Sequence, residues 1–265
     1  ADVLAAGAIS LVVGVVAEAC ARRPNLAPST EAVCALVATV LAYGVSELVQ
    51  PLSVQTVVLS SLIVLLPGLA LTTAINELAT QHLVSGVARF AGAFAVLLKL
   101  TFGVVAGTQI CHLLGWTTAA SEVTAVPAWA LWPALVGAAF GFAVSFRAAW
   151  RDFPLVMAAA IGSYLLTRWF GSSIGNGAGV FIAALVACAA GNLYARLWRR
   201  PGALIRLPGI ILLVPGSVGF RSLTHAFERD IFLSLDTGFT LLSILITLVA
   251  GLLFGNLLVP PRRSL

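Results

Sequence analysis

The sequence predicts an all-α, polytopic transmembrane protein, and three observations carry that prediction. Hydrophobic residues make up 60% and charged residues 9% of the 265 positions, apolar runs of helical length recur along the whole chain, and turn residues fall between them. So few charges cannot solvate the surface of a soluble domain. The formal charge of +5 comes from arginines beside apolar runs, which fits the cytoplasmic flanks of membrane helices better than a nucleic-acid face.

A hydrocarbon core of about 30 Å takes about 20 helical residues to cross. Nine stretches meet that length, near residues 3–20, 31–49, 54–78, 84–113, 127–146, 153–170, 175–197, 207–226 and 232–259. The first begins at the start of the chain, already apolar from Ala1, with no basic head and no cleavage site; the chain is expected to be a fragment without a signal peptide. The second follows the turn Arg23-Pro-Asn-Leu-Ala-Pro28, and the third follows Gln50-Pro51. The fourth and ninth exceed the length a bilayer needs, so they are expected to tilt or to run past its surface. The fifth opens at Pro127. Gly175-Asn-Gly177 separates the sixth from the seventh, and Arg200-Pro-Gly202 precedes the eighth. Trp116, Trp129, Trp132, Trp150, Trp169 and Trp198 all fall near span ends, as interfacial anchors do.

Basic residues orient this layout. With the first residue outside, one side collects Arg22, Arg23, Arg147, Arg151, Arg196, Arg199, Arg200, Arg206, Arg262 and Arg263, and the other has Arg168, Arg221 and Arg229. Ten against three favours an outside N-terminus and an inside C-terminus.

Two segments stand out within the spans. Leu62 to Glu77 (LIVLLPGLALTTAINE) and Ile210 to His225 (IILLVPGSVGFRSLTH) each run from aliphatic residues through a Pro-Gly step into a polar stripe, and they lie 148 positions apart. The same offset carries Gly103 and Gly107 onto Gly251 and Gly255 without a gap. With the orientation above, the first segment runs inward and the second outward, which predicts inverted repeats: residues 1–113 as a first membrane repeat and 127–265 as a second. Pairing spans one to four with six to nine leaves the fifth unmatched. Its partner would precede Ala1, so the parent architecture is expected to be five plus five spans, with the first missing here.

A proline at 67 or 215 removes a backbone donor, and the next glycine tolerates non-helical angles, so each segment is expected to unwind there and restart as a half-helix. The free N–H groups and positive dipole end of that half-helix favour an anionic group such as a carboxylate. Ser217, Arg221 and Thr224 share a helical face, and the repeat sets Thr73 and Asn76 at the positions of Arg221 and Thr224. A polar stripe in lipid faces protein or a water-filled path; the plainer reading is a kink that only packs. The candidate substrate-binding residues are Pro67, Gly68, Thr73, Asn76, Pro215, Gly216, Ser217 and Arg221. Glu77, Asp236 and His225 are the candidate proton carriers, with Glu77 ranked first; pairing with Arg89 is the competing role for Glu77, and pairing with Arg229 for Asp236.

Lys99 lies near the middle of a span, where an unpaired ammonium costs at least about 3 kcal/mol, so it needs a partner or water, or else snorkels to an interface. Glu18 and Arg22 form an i,i+4 pair. The small-residue pairs Gly103/Gly107, Gly137/Gly141 and Gly251/Gly255 are expected to bring helices close together. Cys20, Cys34, Cys111 and Cys188 have no metal-type spacing and lie in or beside apolar segments, so neither a disulfide framework nor a metal site is predicted. His82 and His112 are isolated, and the sequence has no HExxH, nucleophile elbow, Walker loop or carboxylate cluster; no enzyme and no cofactor is predicted.

The stretch Leu66-Pro-Gly-Leu-Ala-Leu-Thr-Thr-Ala-Ile-Asn-Glu-Leu78, followed by Ser85-Gly86 and Arg89, resembles the membrane part of the threonine/serine exporter family. Val214-Pro-Gly-Ser-Val-Gly-Phe-Arg-Ser-Leu223 resembles that family's second module, which also occurs as a separate small subunit. The resemblance implies ten spans, a soluble N-terminal region beyond this chain, and export of small amino acids driven by protons. This chain has Thr73-Ala-Ile-Asn76-Glu77 where the family usually has Asn-Ala-Ile-Arg-Asp, and Gln81-His82 where it usually has Gly-Asp. Two-component relatives are linked to succinate export. The function expected is therefore secondary active export of L-threonine or L-serine, by alternating access with proton antiport, in a bacterial inner membrane. A dicarboxylate exporter and a non-transporting assembly subunit are the alternatives. The implied partners are the small-molecule substrate, protons and the lipid bilayer, with no nucleic acid; whether the chain forms an oligomer is left open.

Overall fold

The computed structural model describes residues 2–116, 127–227 and 231–261. These form eleven α-helices, with no strand among the described residues. The helices are α1 (Asp2–Ala21), α2 (Thr30–Leu48), α3 (Val54–Ser61), α4 (Gly68–Ala79), α5 (Leu83–Leu113), α6 (Leu131–Ser145), α7 (Phe153–Ile174), α8 (Asn176–Trp198), α9 (Ala203–Ile211), α10 (Gly216–Phe227) and α11 (Ile231–Leu258).

Among the described residues eight helical segments are long and apolar enough to cross a membrane, α9 and α10 counting as one. The chain is an all-α polytopic membrane protein. The third expected span, 54–78, is the pair α3 and α4, separated by the non-helical stretch 62–67. Both anticipated breaks are present. Helix α4 begins at Gly68 directly after Pro67, and α10 begins at Gly216 directly after Pro215. The helix before each break stops short of its proline: α3 ends at Ser61, and α9, which carries Pro208 inside it, ends at Ile211.

The chain divides into two compact units, four of whose borders fall in pairs 148 residues apart, 67/68 with 215/216 and 90/91 with 238/239. The first unit comprises Ala1–Pro67, Ala91–Ala125 and Gly216–Gly238; the second comprises Gly68–Phe90, Val126–Pro215 and Phe239–Leu265. Gly68–Phe90 and Gly216–Gly238 are equivalent under the 148-residue offset. Each unit thus includes one helical hairpin from the opposite half of the chain.

In the first unit α1 packs on α2 and α3 around Ile9, Val13, Ala38, Val57 and Leu62. Helix α5 lies against α2 at Gly103 and Gly107: a methyl at Gly103 would run into the Ala32 carbonyl, and one at Gly107 would meet Thr39 Cβ at 2.8 Å. Lys99 finds its partner here, Nζ lying 3.4 Å from Glu31 Oε2. The α10/α11 hairpin is fastened by two reciprocal hydrogen bonds, Ser222 Oγ donating to the Ser234 carbonyl and Ser234 Oγ to the Ser222 carbonyl, each at 2.9 Å.

In the second unit α7, α8 and α9 pack together, and α6 lies on α7. Val180, Ala183, Ala184, Ile210, Leu248 and Leu252 are buried in one cluster. Gly251 and Gly255 give α11 the approach to α8 that Gly103 and Gly107 give α5 to α2. Gly137 and Gly141 correct the expectation for the third pair, since a methyl at either would meet nothing within 4 Å. Helix α6 turns Leu135, Ala139 and Ala143 inward at i, i+4 and i+8, so the glycines two positions on face out. The α4/α5 turn passes through Gln81 at φ 65°, with the Gln81 N–H bonded to the Leu78 carbonyl and the His82 N–H to the Glu77 carbonyl. That is a left-handed helix C-cap, a position glycine occupies without steric cost. Cys20, Cys34, Cys111 and Cys188 are buried free thiols.

Candidate functional site

The first unit encloses a cavity of about 380 Å³ beside the second half-helix, α10. Phe220, Arg221, Thr224 and His225 form one wall. They lie at i, i+1, i+4 and i+5, so one strip of α10 faces the space. The first turn of α3 supplies Ser53, Gln55 and Thr56; α2 supplies Thr39 and Tyr43, and α5 supplies Val104 and Thr108, each pair one turn apart. Among the described residues that line the space Arg221 is the one lysine or arginine, and none is an aspartate or glutamate.

The hydroxyls carry a directional bias. Thr39 Oγ1 donates to the Ala35 carbonyl at 2.8 Å and Thr224 Oγ1 to the Phe220 carbonyl at 3.0 Å. With their protons committed to their own helices, these threonines keep lone pairs, so what they have left to give is acceptance. Ser53 Oγ donates to Thr56 Oγ1 at 2.8 Å. The cavity therefore combines one fixed cation with hydroxyl acceptors. It can take a carboxylate at Arg221 and a donor such as an ammonium at the hydroxyls.

Of the residues singled out in the sequence, Arg221 and His225 line this cavity, with Thr224 beside them. Ser217 lies one turn before Arg221 on α10 without lining it, and Pro215 and Gly216 are buried at the break. Asp236 is exposed on α11; Arg229, its suggested partner, lies outside the described residues, as do Glu228, Arg262 and Arg263. Pro67 ends the first stretch of this unit.

Gly68, Thr73, Asn76 and Glu77 belong to the second unit. Thr73 is exposed and donates back to the Leu69 carbonyl at 2.8 Å. Arg89 Nε lies 2.8 Å from Glu77 Oε1, the ion pair anticipated across that hairpin. Thr72 Oγ1, Asn76 Oδ1 and Glu77 Oε2 are buried with no hydrogen-bond partner among the described residues. Two features escaped the sequence. The polar start of α3 read only as a turn, although Ser53 and Thr56 at i,i+3 were its visible signal. The pairing of buried Asp152 with Arg200, 48 residues apart, had none. No group of three His, Cys, Asp or Glu residues among those described could hold a metal ion.

Fold and cavity together define a polytopic helical membrane protein with two interrupted spans and a polar cavity beside one of them. The chain belongs to the threonine/serine exporter family: the model described as "Putative threonine/serine exporter" matches residues 1–111, and that described as "Threonine/Serine exporter, ThrE" matches 133–258. Among its relatives are proteins called pheromone-regulated membrane protein 10. That of Eremothecium gossypii is 27% identical over 225 residues, 76% of this chain and 30% of its own length; that of Saccharomyces cerevisiae is 27% identical over 225 residues, 76% of this chain and 58% of its own. The Candida albicans protein is 29% identical over 175 residues, 61% of this chain and 15% of its own length. The chain thus spans less than two thirds of each of these relatives. No solved structure matches it.

Proposed function

We propose that this chain forms the membrane part of a secondary active exporter that moves a small zwitterionic carboxylate, L-threonine or L-serine first, by alternating access with proton antiport. The observation that carries this reading is the cavity in the first unit, where Arg221 stands, among the described lining residues, as the one lysine or arginine beside hydroxyl acceptors. A carboxylate pairs with a guanidinium in bidentate fashion, and an ammonium needs acceptors; Thr39 and Thr224 retain theirs. A dicarboxylate would call for a second fixed cation, and no other lysine or arginine is among the described lining residues, so a monocarboxylate is the better fit.

In this reading residues 1–113 and 127–265 are inverted repeats, and each Pro-Gly break serves the transport path. Pro67, Gly68, Thr73 and Asn76 act at the first break, and Pro215, Gly216, Ser217 and Arg221 at the second. Glu77, His225 and Asp236 are the carriers through which protons couple, Glu77 foremost, because its second carboxylate oxygen is buried without a partner. The location we infer is a bacterial inner membrane, crossed with the N-terminal end outside, an orientation supported by the ten-to-three arginine excess. The polar start of α3 and the end of α10 then lie toward the outer surface, where an exported solute leaves.

The test is uptake of labelled threonine into inverted membrane vesicles containing the full-length protein, with and without an imposed pH gradient. Accumulation that requires the gradient supports the reading. Accumulation of succinate but not threonine moves it to a dicarboxylate exporter, and transport of neither leaves an assembly subunit.

A further inference from the structure

We propose that a second cavity, in the second unit, is a binding site for the phosphodiester headgroup of an anionic phospholipid. It encloses about 390 Å³ where the connector between α6 and α7 meets the one between α8 and α9. Arg151, Asp152 and Arg200 are its charged lining residues, and Phe146, Val156 and Leu204 are among the apolar ones.

The charges are fixed before any ligand arrives. The Asp152 side chain is only 10% exposed; its Oδ1 accepts from Arg200 Nη1 at 2.9 Å, and its Oδ2 lies 3.8 Å from Arg151 Nε. One buried carboxylate thus holds two arginines at the lip of a cavity and leaves a net charge of +1, while the Arg151 side chain stays 73% exposed. A monoanionic phosphodiester matches that charge, and its two unesterified oxygens match the guanidinium fork. The backbone delivers the arginine deliberately: Arg147 takes φ 50° as the left-handed cap of α6, with the Ala148 N–H bonded to the Ala143 carbonyl, so the connector turns back toward α7.

A second, independent observation points to lipid. Trp150, 80% exposed, stacks on Phe153 at 4.8 Å, and Phe153 meets Phe140 edge-on at 5.6 Å. An exposed tryptophan at a helix end marks the headgroup level of a bilayer, and Arg151 follows it directly in sequence. The arginines therefore stand at the depth of lipid phosphates, and the apolar walls can receive the upper part of an acyl chain. Basic pockets between membrane helices recognise anionic lipids in this way. The inference does not depend on the transport reading.

The experiment uses the full chain purified in a non-ionic detergent, with phosphatidylglycerol, phosphatidylcholine or soluble glycerol 3-phosphate added. Melting temperature and retained lipid, counted by native mass spectrometry, are measured. Phosphatidylglycerol is expected to be retained and to raise the melting temperature, and Arg151→Gln to weaken its apparent affinity at least fivefold. Arg22→Gln, which changes an exposed arginine paired with Glu18, serves as the control. Because Arg200→Gln alone strands a buried carboxylate, the second arginine is removed together with its partner, as Asp152→Asn with Arg200→Gln; this pair is also expected to weaken retention. Equal retention of the two lipids overturns the proposal. So does an equal loss in Arg22→Gln, which would mean diffuse charge attraction. Protection by glycerol 3-phosphate as strong as by phosphatidylglycerol would assign the site to a free phosphate ester and overturn the lipid.

Discussion

Glu77 and Arg89 meet across the α4/α5 turn with Oε1 2.8 Å from Nε, while the other carboxylate oxygen, Oε2, is buried without a partner. In the proposed coupling Glu77 is the foremost carrier. Glu77→Gln is expected to abolish threonine transport driven by a pH gradient and to leave counterflow between equal threonine pools within about twofold, because exchange needs no net proton movement. Loss of both activities would assign Glu77 to folding or substrate binding.

Arg221 is expected to set substrate affinity. A hydrogen bond to a charged group is worth about 1.5–3 kcal/mol, so Arg221→Gln should raise the KM for threonine by about tenfold or more, with the protein still inserted. Arg221→Lys keeps the charge but loses the fork and should fall between. A KM unchanged in both variants would remove the cavity from the substrate path.

Healing the breaks is a separate test. Pro67→Ala and Pro215→Ala each restore a backbone donor where a helix is interrupted, and alanine is the strongest helix former. Each is expected to lower the transport rate at least fivefold at normal expression. Parental rates in both would make the breaks packing features only.

The inverted orientation can be read by labelling. In a background with the four cysteines replaced, Gln81→Cys at the end of α4 should react with an impermeant maleimide only from the cytoplasmic side, and Phe227→Cys at the end of α10 only from outside. Labelling of both from one side would end the inverted-repeat reading.

Stability should follow the glycine geometry. Gly107→Val is expected to lower the melting temperature strongly, since its Cβ would lie 2.8 Å from Thr39 Cβ and overpacking costs about 1–3 kcal/mol. Gly137→Val, with nothing within 4 Å, should change it little. Gln81→Gly should raise it, because a left-handed residue with a Cβ costs about 1–2 kcal/mol.

Helix positions were legible in the sequence because hydropathy, turn residues and the cost of an open backbone in lipid all act locally. The expected span 84–113 differs from α5 by one residue, and both Pro-Gly breaks fell at the prolines. Arg206 misled, since the expected span 207–226 left it in the preceding connector and it lies in α9. A long side chain near a helix end keeps its charge in water while its backbone stays helical. Only part of the cavity could be anticipated. Arg221 and Thr224 announced themselves as polar groups in an apolar segment. Thr39, Ser53 and Thr108 matter only because α2, α3 and α5 converge on α10, and no local pattern encodes that meeting.

The exchange of hairpins between the two units bears on how the protein is made. Neither half of the chain contains a complete unit: the first lacks Gly216–Gly238, and the second lacks Gly68–Phe90. A ribosome that has released the first half has therefore produced an unfinished body, which must wait in the bilayer for a hairpin still to be synthesised. Two polypeptides divided between residues 117 and 126 would be mutually obligate, each supplying the segment that completes the other, so their folding would depend on meeting rather than on either sequence alone.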